Sequence, residues 1–129
     1  MIPVVYVAGA YTADTPEQVE ENVRLAIEAG VKIRNAGGVP FIPHLSHYIM
    51  PFVDEELRYN SDYWLEWDLV MLAKCDMLYL MPSWVNSKGA QREFEASIRM
   101  RNLTHTCFDM DYLIDRIQEV INASAKTET

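Results

Sequence analysis

Short apolar runs alternate along the chain with segments of helical spacing. Residues 3–8 and 77–81 are apolar throughout, which is typical of strands buried on both faces of a parallel sheet. Residues 39–43 form a shorter run whose two prolines favour the sheet edge, and residues 103–108 are a fourth candidate strand. Because helical segments separate these runs, residues 1–129 are predicted to form one α/β domain with right-handed crossovers.

Helix ends are marked by capping residues. Three helices are predicted to begin at the polar caps Thr15, Asp62 and Ser87. Gln18 is placed to complete a capping box in the first helix, which is expected to stop at glycines 37–38. A last helix is predicted over residues 109–123, with 124–129 as a frayed polar tail.

Composition limits the classes of partner. The 129 residues include 11 Lys and Arg against 19 Asp and Glu, a formal net charge of −8. The basic residues do not cluster in the sequence, so neither polymeric nucleic acid nor an anionic membrane is expected as a partner. Cys75 and Cys107 stand alone in apolar segments and are expected to be buried, reduced thiols. With no signal-like or membrane-spanning run, we expect a soluble, cytoplasmic protein.

The loop after the first strand is a candidate binding loop. In an open parallel sheet, ligands bind at the carboxyl ends of strands where the strand order reverses. If the first and third strands are neighbours there, the loops that follow them face each other. Gly9, Ala10, Tyr11 and Thr12 form the first of these loops, and its small residues let a ligand approach the backbone. An ordinary strand-to-helix turn explains the same pattern.

The second unusual motif opens the helix after the third strand. Ser87 followed by Gly89 leaves free N–H groups at a helix start, an arrangement that suits an anion. Glu93 lies one turn beyond Gly89 on the same face, whereas Glu95 is expected to face solvent. Glu93 is therefore placed to face the cleft. The alternative is a surface carboxylate favoured by the helix dipole.

A second carboxylate stands on the preceding helix among apolar residues. Asp68 is either solvated or semi-buried, and burial would raise its pKa so that it carries a proton near neutral pH. Together, Asp68 and Glu93 would form the carboxyl pair that glycosidic cleavage uses. Asp76, at the end of that helix, is expected to be structural.

Residues 44–61 have no period and predict an ordered loop of the kind that is usually functional. His44 follows the second strand directly and is expected to face the cleft. His44 and His47 have no further ligand at a metal-binding spacing, so a zinc site is not expected.

Three segments together resemble the nucleoside 2-deoxyribosyltransferase superfamily. They are VYVAGAYT at residues 5–12, DLVMLAKCD at residues 68–76 and SKGAQRE at residues 87–93. The superfamily includes base-exchanging transferases and 2′-deoxynucleoside 5′-monophosphate N-glycosidases. The resemblance extends over about residues 4–97.

The resemblance implies a flavodoxin-like Rossmann variant, a doubly wound parallel sheet of about four to five strands. It also implies that Glu93 is the nucleophile, that Tyr6 orients it, and that Asp68 lies near the nucleobase and sugar. Residues 9–12 would line the substrate. Ser87 matches the position at which the monophosphate hydrolases carry a phosphate-binding serine, and this favours a nucleotide over a nucleoside.

The expected activity is cleavage of the N-glycosidic bond of a 2′-deoxyribonucleoside 5′-monophosphate through a glutamyl-glycosyl intermediate. Base exchange between nucleosides and a non-catalytic nucleotide-binding module are the alternatives. No metal or redox cofactor is needed. Because members of the superfamily complete their sites with a neighbouring subunit, a homodimer or higher homo-oligomer is expected, with the aromatic residues of segment 48–67 at the contact.

Overall fold

The computed structural model describes residues 1–128, which form a four-stranded parallel sheet with helices on both faces. The strands are β1 (Val4–Ala8), β2 (Val39–Phe41), β3 (Met77–Leu80) and β4 (His105–Cys107). The α-helices are α1 (Pro16–Asn35), α2 (Glu55–Arg58), α3 (Ser61–Leu72), α4 (Lys88–Ser97) and α5 (Met110–Glu128). Three 3₁₀ helices lie at Pro43–Tyr48, Met50–Phe52 and Pro82–Asn86.

The strand order is β2-β1-β3-β4, and every pair is parallel. This is the doubly wound, flavodoxin-like arrangement, and the predicted fold class is confirmed with four strands. The chain leaves β1 in one direction to form β2 and then crosses back to form β3, so the order reverses between β1 and β3. The carboxyl ends of these two strands are therefore the expected place for a ligand. The prolines of β2 correctly indicated an edge strand.

Successive residues of β1 and β3 enter hydrophobic cores on opposite faces of the sheet, which explains their continuous apolar runs. One core joins Val5, Val7, Met77 and Tyr79 to residues of α1 and α5. The other joins Tyr6, Ala8, Leu78 and Leu80 to Leu72 of α3 and Ala90 of α4. Each core includes one of the two cysteines, which are buried and unbridged as predicted. The ring of Tyr6 therefore lies on the face covered by α3 and α4.

Helix α1 begins at the predicted cap, although the capping box is incomplete. The Thr15 Oγ1 atom accepts the Gln18 N–H at 3.2 Å, as expected. The Gln18 side chain does not return to the cap, because its Nε2 donates to Asn22 Oδ1 at 3.0 Å. The helix ends just before Gly37, whose φ of 106° is a conformation that favours glycine, and this predicted stop is confirmed.

The start of α3 was predicted wrongly at Asp62. Asn60 is the actual cap, and its Oδ1 atom accepts the N–H groups of Asp62 and Tyr63 at 3.0 and 3.2 Å. Both residue types are good caps, so local sequence does not choose between them. Trp64 Nε1 also donates to the Arg58 carbonyl at 2.8 Å, which joins the first turn of α3 to the segment before its cap.

The end of the chain also differs from the predicted boundary. Helix α5 continues to Glu128, beyond the expected end at residue 123. Residues 124–128 of the predicted tail are thus helical, and Thr129 lies outside the described residues. Over residues 1–128, no helix combines the length and apolar character needed to cross a membrane.

Candidate active site

The structure brings together Glu93 on α4 and Tyr6 on β1. Glu93 is only 7% exposed, so the alternative of a solvated surface carboxylate is wrong. The Tyr6 hydroxyl lowers the pKa of Glu93. The two groups nevertheless stop short of a well-formed hydrogen bond, because neither Tyr6 Oη nor Glu93 Oε2 has a hydrogen-bond partner among residues 1–128. Buried polar atoms are nearly always paired, so these two oxygens have unused binding capacity.

Glu93 and Asp68 both have strongly raised pKa values. Burial raises the pKa of Glu93 to about 8, the nearby Asp68 charge adds to the rise, and the Tyr6 hydroxyl opposes it. Burial alone raises the pKa of Asp68 to about 7, so of the two alternatives for this side chain the semi-buried one is correct. No third His, Cys, Asp or Glu joins this pair in a group suited to a metal ion within the described chain.

Asp68 lines a cavity of about 230 Å³ between the end of β2, the Pro43–Tyr48 turn and α3. The walls are mainly apolar and include Phe41, Ile42, Pro43, Ile49 and Trp67. Ser46 is the second polar side chain of this lining. A larger concavity of about 510 Å³ on the outer side of α3 and α4 contains none of the predicted site residues.

The loops after β1 and β3 face each other, as predicted. A Cβ atom on Gly9 would lie 2.6 Å from Met81 Cε, at the movable end of that side chain, and 3.1 Å from Ser83 Oγ, so the two loops approach each other closely here. The Ala10 N–H donates to Ser83 Oγ at 3.0 Å. The strand-to-helix turn is therefore held against the loop that leads to α4.

His44 is buried beside the same turn. Its Nε2 atom lies 3.1 Å from the Ala10 carbonyl oxygen, which only accepts, so Nε2 carries the proton. Burial lowers the pKa of His44, which keeps the ring neutral. Its Nδ1 atom is then an acceptor, and it is buried with no hydrogen-bond partner among residues 1–128. The predicted position of His44 at the cleft is consistent with these contacts.

Tyr11 and Thr12 have different surroundings. The Tyr11 hydroxyl lies 2.8 Å from His47 Nδ1 and 3.1 Å from Met50 Sδ. Asn22 Nδ2 donates to the Tyr11 carbonyl at 3.0 Å, which fixes the backbone as well. Thr12 is exposed.

The start of α4 has the predicted cap. Ser87 Oγ accepts the Ala90 N–H at 3.1 Å, and its own proton remains available for donation. The first N–H groups of the helix, at Lys88 and Gly89, have no partner within the helix. A Cβ atom on Gly89 would meet nothing closer than Ser87 Oγ at 3.9 Å, so the space beside it is open. Glu95 is exposed, as expected.

Three residues of this site carry no distinctive signal in the sequence. Ser83 and His47 are recognisable only from their hydrogen bonds to the loop after β1. Asn22 gives a weak signal, because it is a polar residue on the otherwise apolar inner face of α1, where it is buried.

The fold and the site define a doubly wound α/β protein with one buried and one half-buried carboxyl near the point where the strand order reverses. Residues 3–106 match the model of a family described as a domain of unknown function, DUF7768, and the chain belongs to that family. No curated protein matches the sequence. The matched range includes both carboxyls and every loop of the candidate site, while α5 lies beyond it.

Proposed function

We propose that this protein is an N-glycosidase of the nucleoside 2-deoxyribosyltransferase type, acting on 2′-deoxyribonucleoside 5′-monophosphates. One observation carries the proposal. Glu93 is a buried carboxyl with a raised pKa and an unpartnered oxygen, and it lies beside the Tyr6 hydroxyl and the second carboxyl, Asp68. Buried titratable groups with perturbed pKa values and unused hydrogen-bonding capacity are typical of catalytic sites.

In the first step, the Glu93 carboxylate attacks the anomeric carbon of the sugar. The C–N bond breaks, and its electron pair leaves with the base. Asp68 gives its proton to the departing base, directly or through a water molecule. In the second step, Asp68 takes a proton from water, whose oxygen attacks the same carbon and releases Glu93 and the free sugar phosphate.

These two reaction steps require an ionised Glu93 together with a protonated Asp68. Burial raises the pKa of both carboxyls, so each holds a proton more tightly than an exposed carboxyl does. The competent form is the one in which Glu93 alone is ionised. A Tyr6 hydroxyl that completes its hydrogen bond to Glu93 favours the competent form. This is the role that we assign to Tyr6.

The cavity beside Asp68 suits a nucleobase. Its walls are mainly apolar, and Asp68 and Ser46 supply polar groups for orientation. His44 Nδ1 is a further acceptor at the cleft. The backbone of residues 9–12, held by Ser83 and His44, then lines the sugar.

The start of α4 suits the 5′-phosphate. It offers the Ser87 hydroxyl and the free N–H groups of Lys88 and Gly89. Gly89 and Glu93 are four residues apart on the helix, a rise of about 6 Å. The sugar of a nucleotide spans a similar distance between its phosphate and its anomeric carbon.

A homodimer or higher homo-oligomer is part of the proposal. The exposed side chains of Tyr48, Phe52, Tyr59 and Trp67 support a contact through segment 48–67. Trp64 is less available than the sequence suggested, because its ring is half-buried and its N–H is bonded within the chain.

The direct test is incubation of the purified protein with matched deoxynucleotides, deoxynucleosides and their ribose counterparts, with free base measured by chromatography. We expect equal amounts of base and deoxyribose 5-phosphate. Formation of a new nucleoside when a second base is added would favour the transferase. A melting temperature raised by nucleotides without base release would identify a binding module and overturn the proposed chemistry.

A further inference from the structure

An acidic, aromatic segment lies at the carboxyl ends of the strands, which we call the carboxyl edge of the sheet; the opposite ends form the amino edge. We name residues 49–60 the acidic arm. Its Phe52 side chain is 88% exposed, and the carboxylates of Asp54, Glu55 and Glu56 follow after one residue. Its one cation, Arg58, donates to backbone carbonyls of the same segment. None of these carboxylates forms an ion pair within residues 1–128. An exposed phenylalanine beside three unpaired like charges has no evident role in holding this fold together.

A surface of the opposite sign lies at the amino edge of the sheet. We name it the basic patch, and it comprises Lys74, Ile98, Arg99 and Arg101. The turns that follow α3 and α4 pack together there, because Asn102 Nδ2 donates to the Ala73 carbonyl at 3.0 Å. This contact places the turn that carries Lys74 beside the turn that carries Arg99 and Arg101, and none of these cations forms an ion pair within the described chain. Ile98, the apolar residue of the patch, is 73% exposed.

The acidic arm and the basic patch of one chain cannot meet. Both α3 and α4 run from the carboxyl edge to the amino edge, so the two surfaces lie at opposite ends of these helices. Helix α3 has 12 residues and is therefore about 18 Å long. Any pairing between the two surfaces must join different molecules.

We propose that the acidic arm of one copy docks on the basic patch of a second copy, so that the chains associate head to tail. Phe52 packs on Ile98, and three carboxylates face three cations. Copies with a net charge of −8 repel each other in most orientations, and this pairing is the attractive one. Because the two surfaces differ, each copy can bind two others, and the assembly closes as a ring or grows as a filament. The inference does not depend on the proposed chemistry.

Paired charge reversals test this directly. One variant reverses the arm (Glu55→Lys with Glu56→Lys), and another reverses the patch (Arg99→Glu with Arg101→Glu). In low salt, we expect wild-type protein to have a light-scattering mass above the 14.9 kDa monomer, falling toward it at 1 M salt. Each variant alone should associate about a hundredfold more weakly, because like charges then face each other. An equimolar mixture should recover an assembly in which the two variants alternate, since the new lysines meet the new glutamates and the unchanged arm meets the unchanged patch.

Two further variants separate charge and shape. Glu17→Lys with Glu20→Lys makes the same change in net charge as the reversed arm, but at exposed positions of α1, and should leave association unchanged. Phe52→Ser should weaken it without altering charge. Monomeric wild-type protein at about 100 µM in low salt would overturn the proposal, as would reversal variants that assemble normally or a mixture that stays monomeric. Circular dichroism confirms that each variant is folded.

Discussion

The amino edge and the carboxyl edge of the sheet, where the strands begin and end, differ in how their polar side chains are hydrogen-bonded. At the amino edge, Asp76 Oδ2 accepts the Val4 N–H at 2.8 Å, and the Asp76 carbonyl accepts the Thr104 N–H at 2.8 Å. At the carboxyl edge, Glu93 Oε2 and Tyr6 Oη are buried without partners. The carboxyl group of Asp76 therefore stabilises the fold, whereas the side-chain oxygens of Tyr6 and Glu93 named here are left unpaired.

The difference separates a structural carboxyl from a candidate catalytic one within the same sheet. Asp76 holds three segments of chain together, as the sequence suggested. Glu93 and Asp68 lower the free energy of unfolding near neutral pH, because their charged forms are poorly solvated in the folded protein. A buried group that destabilises the fold is expected to persist only where it has another role.

Removing the carboxylate of Glu93 should have the largest effect on activity. Glu93→Gln keeps the size of the side chain but eliminates the nucleophile, so base release should fall by about a thousandfold or more. Chromatographic assay of free base measures the change. Glu95→Gln is the matched control, because Glu95 is exposed two residues further along α4, and it should remain active. More than a few per cent residual turnover in Glu93→Gln would refute the assignment.

Replacing Asp68 should affect substrates according to their leaving groups. Asp68→Asn removes the proton donor, so bases that leave poorly without a proton should react about a hundredfold more slowly or worse. Activated leaving groups should lose much less. Comparison of kcat/KM for the two kinds of substrate provides the measurement. Equal losses would mean that Asp68 only positions the base.

The carboxyl edge should also govern the pH dependence of stability. The folded protein holds the Glu93 proton up to a pKa of about 8, against an ordinary value of 4.5. The stabilisation from that proton is complete below the ordinary value and is lost as pH rises toward about 8. The free energy of unfolding of Glu93→Gln, measured relative to that of wild type, should therefore rise by about 3 kcal/mol between pH 5 and pH 8. Urea denaturation at a series of pH values measures both free energies. A difference that stays constant with pH would contradict the prediction.

The opposite result is expected at the amino edge. Asp76→Ala removes the acceptor of the Val4 N–H and should lower the free energy of unfolding by about 1–3 kcal/mol. The folded fraction should still release base at the normal rate, because Asp76 lies at the far edge from the candidate site. If activity fell by more than the unfolded fraction explains, Asp76 would also affect the candidate site, and the two edges would not have separate roles.

The last prediction concerns Ser87 and compares two kinds of substrate, monophosphates and nucleosides. If Ser87 and the following N–H groups hold a 5′-phosphate, the enzyme should prefer monophosphates to nucleosides by about ten- to a hundredfold. Ser87→Asp retains the helix cap but repels phosphate, so it should reverse the preference without loss of stability. Kinetics on matched pairs tests this. A wild-type enzyme indifferent to phosphate would favour a nucleoside substrate.

Several elements were predictable because their signals are local. The apolar runs of β1 and β3, the prolines of β2, and the caps at Thr15 and Ser87 all correspond to the structure. The position of Glu93 one turn after Gly89 follows from helical periodicity alone. Where two local signals competed, as at Asn60 and Asp62, the sequence could not decide between them.

The sequence by itself therefore determined the order and type of the elements, and which residues each could offer to the carboxyl edge. Only the tertiary structure decided that Glu93 and Tyr6 meet in a buried place, that Ser83 and His44 hold the turn after β1, and that opposite charges gather at opposite ends of α3 and α4. The reason is physical. Periodicity and capping depend on a few consecutive residues, whereas burial, pKa and hydrogen-bond partners depend on which distant segments pack together.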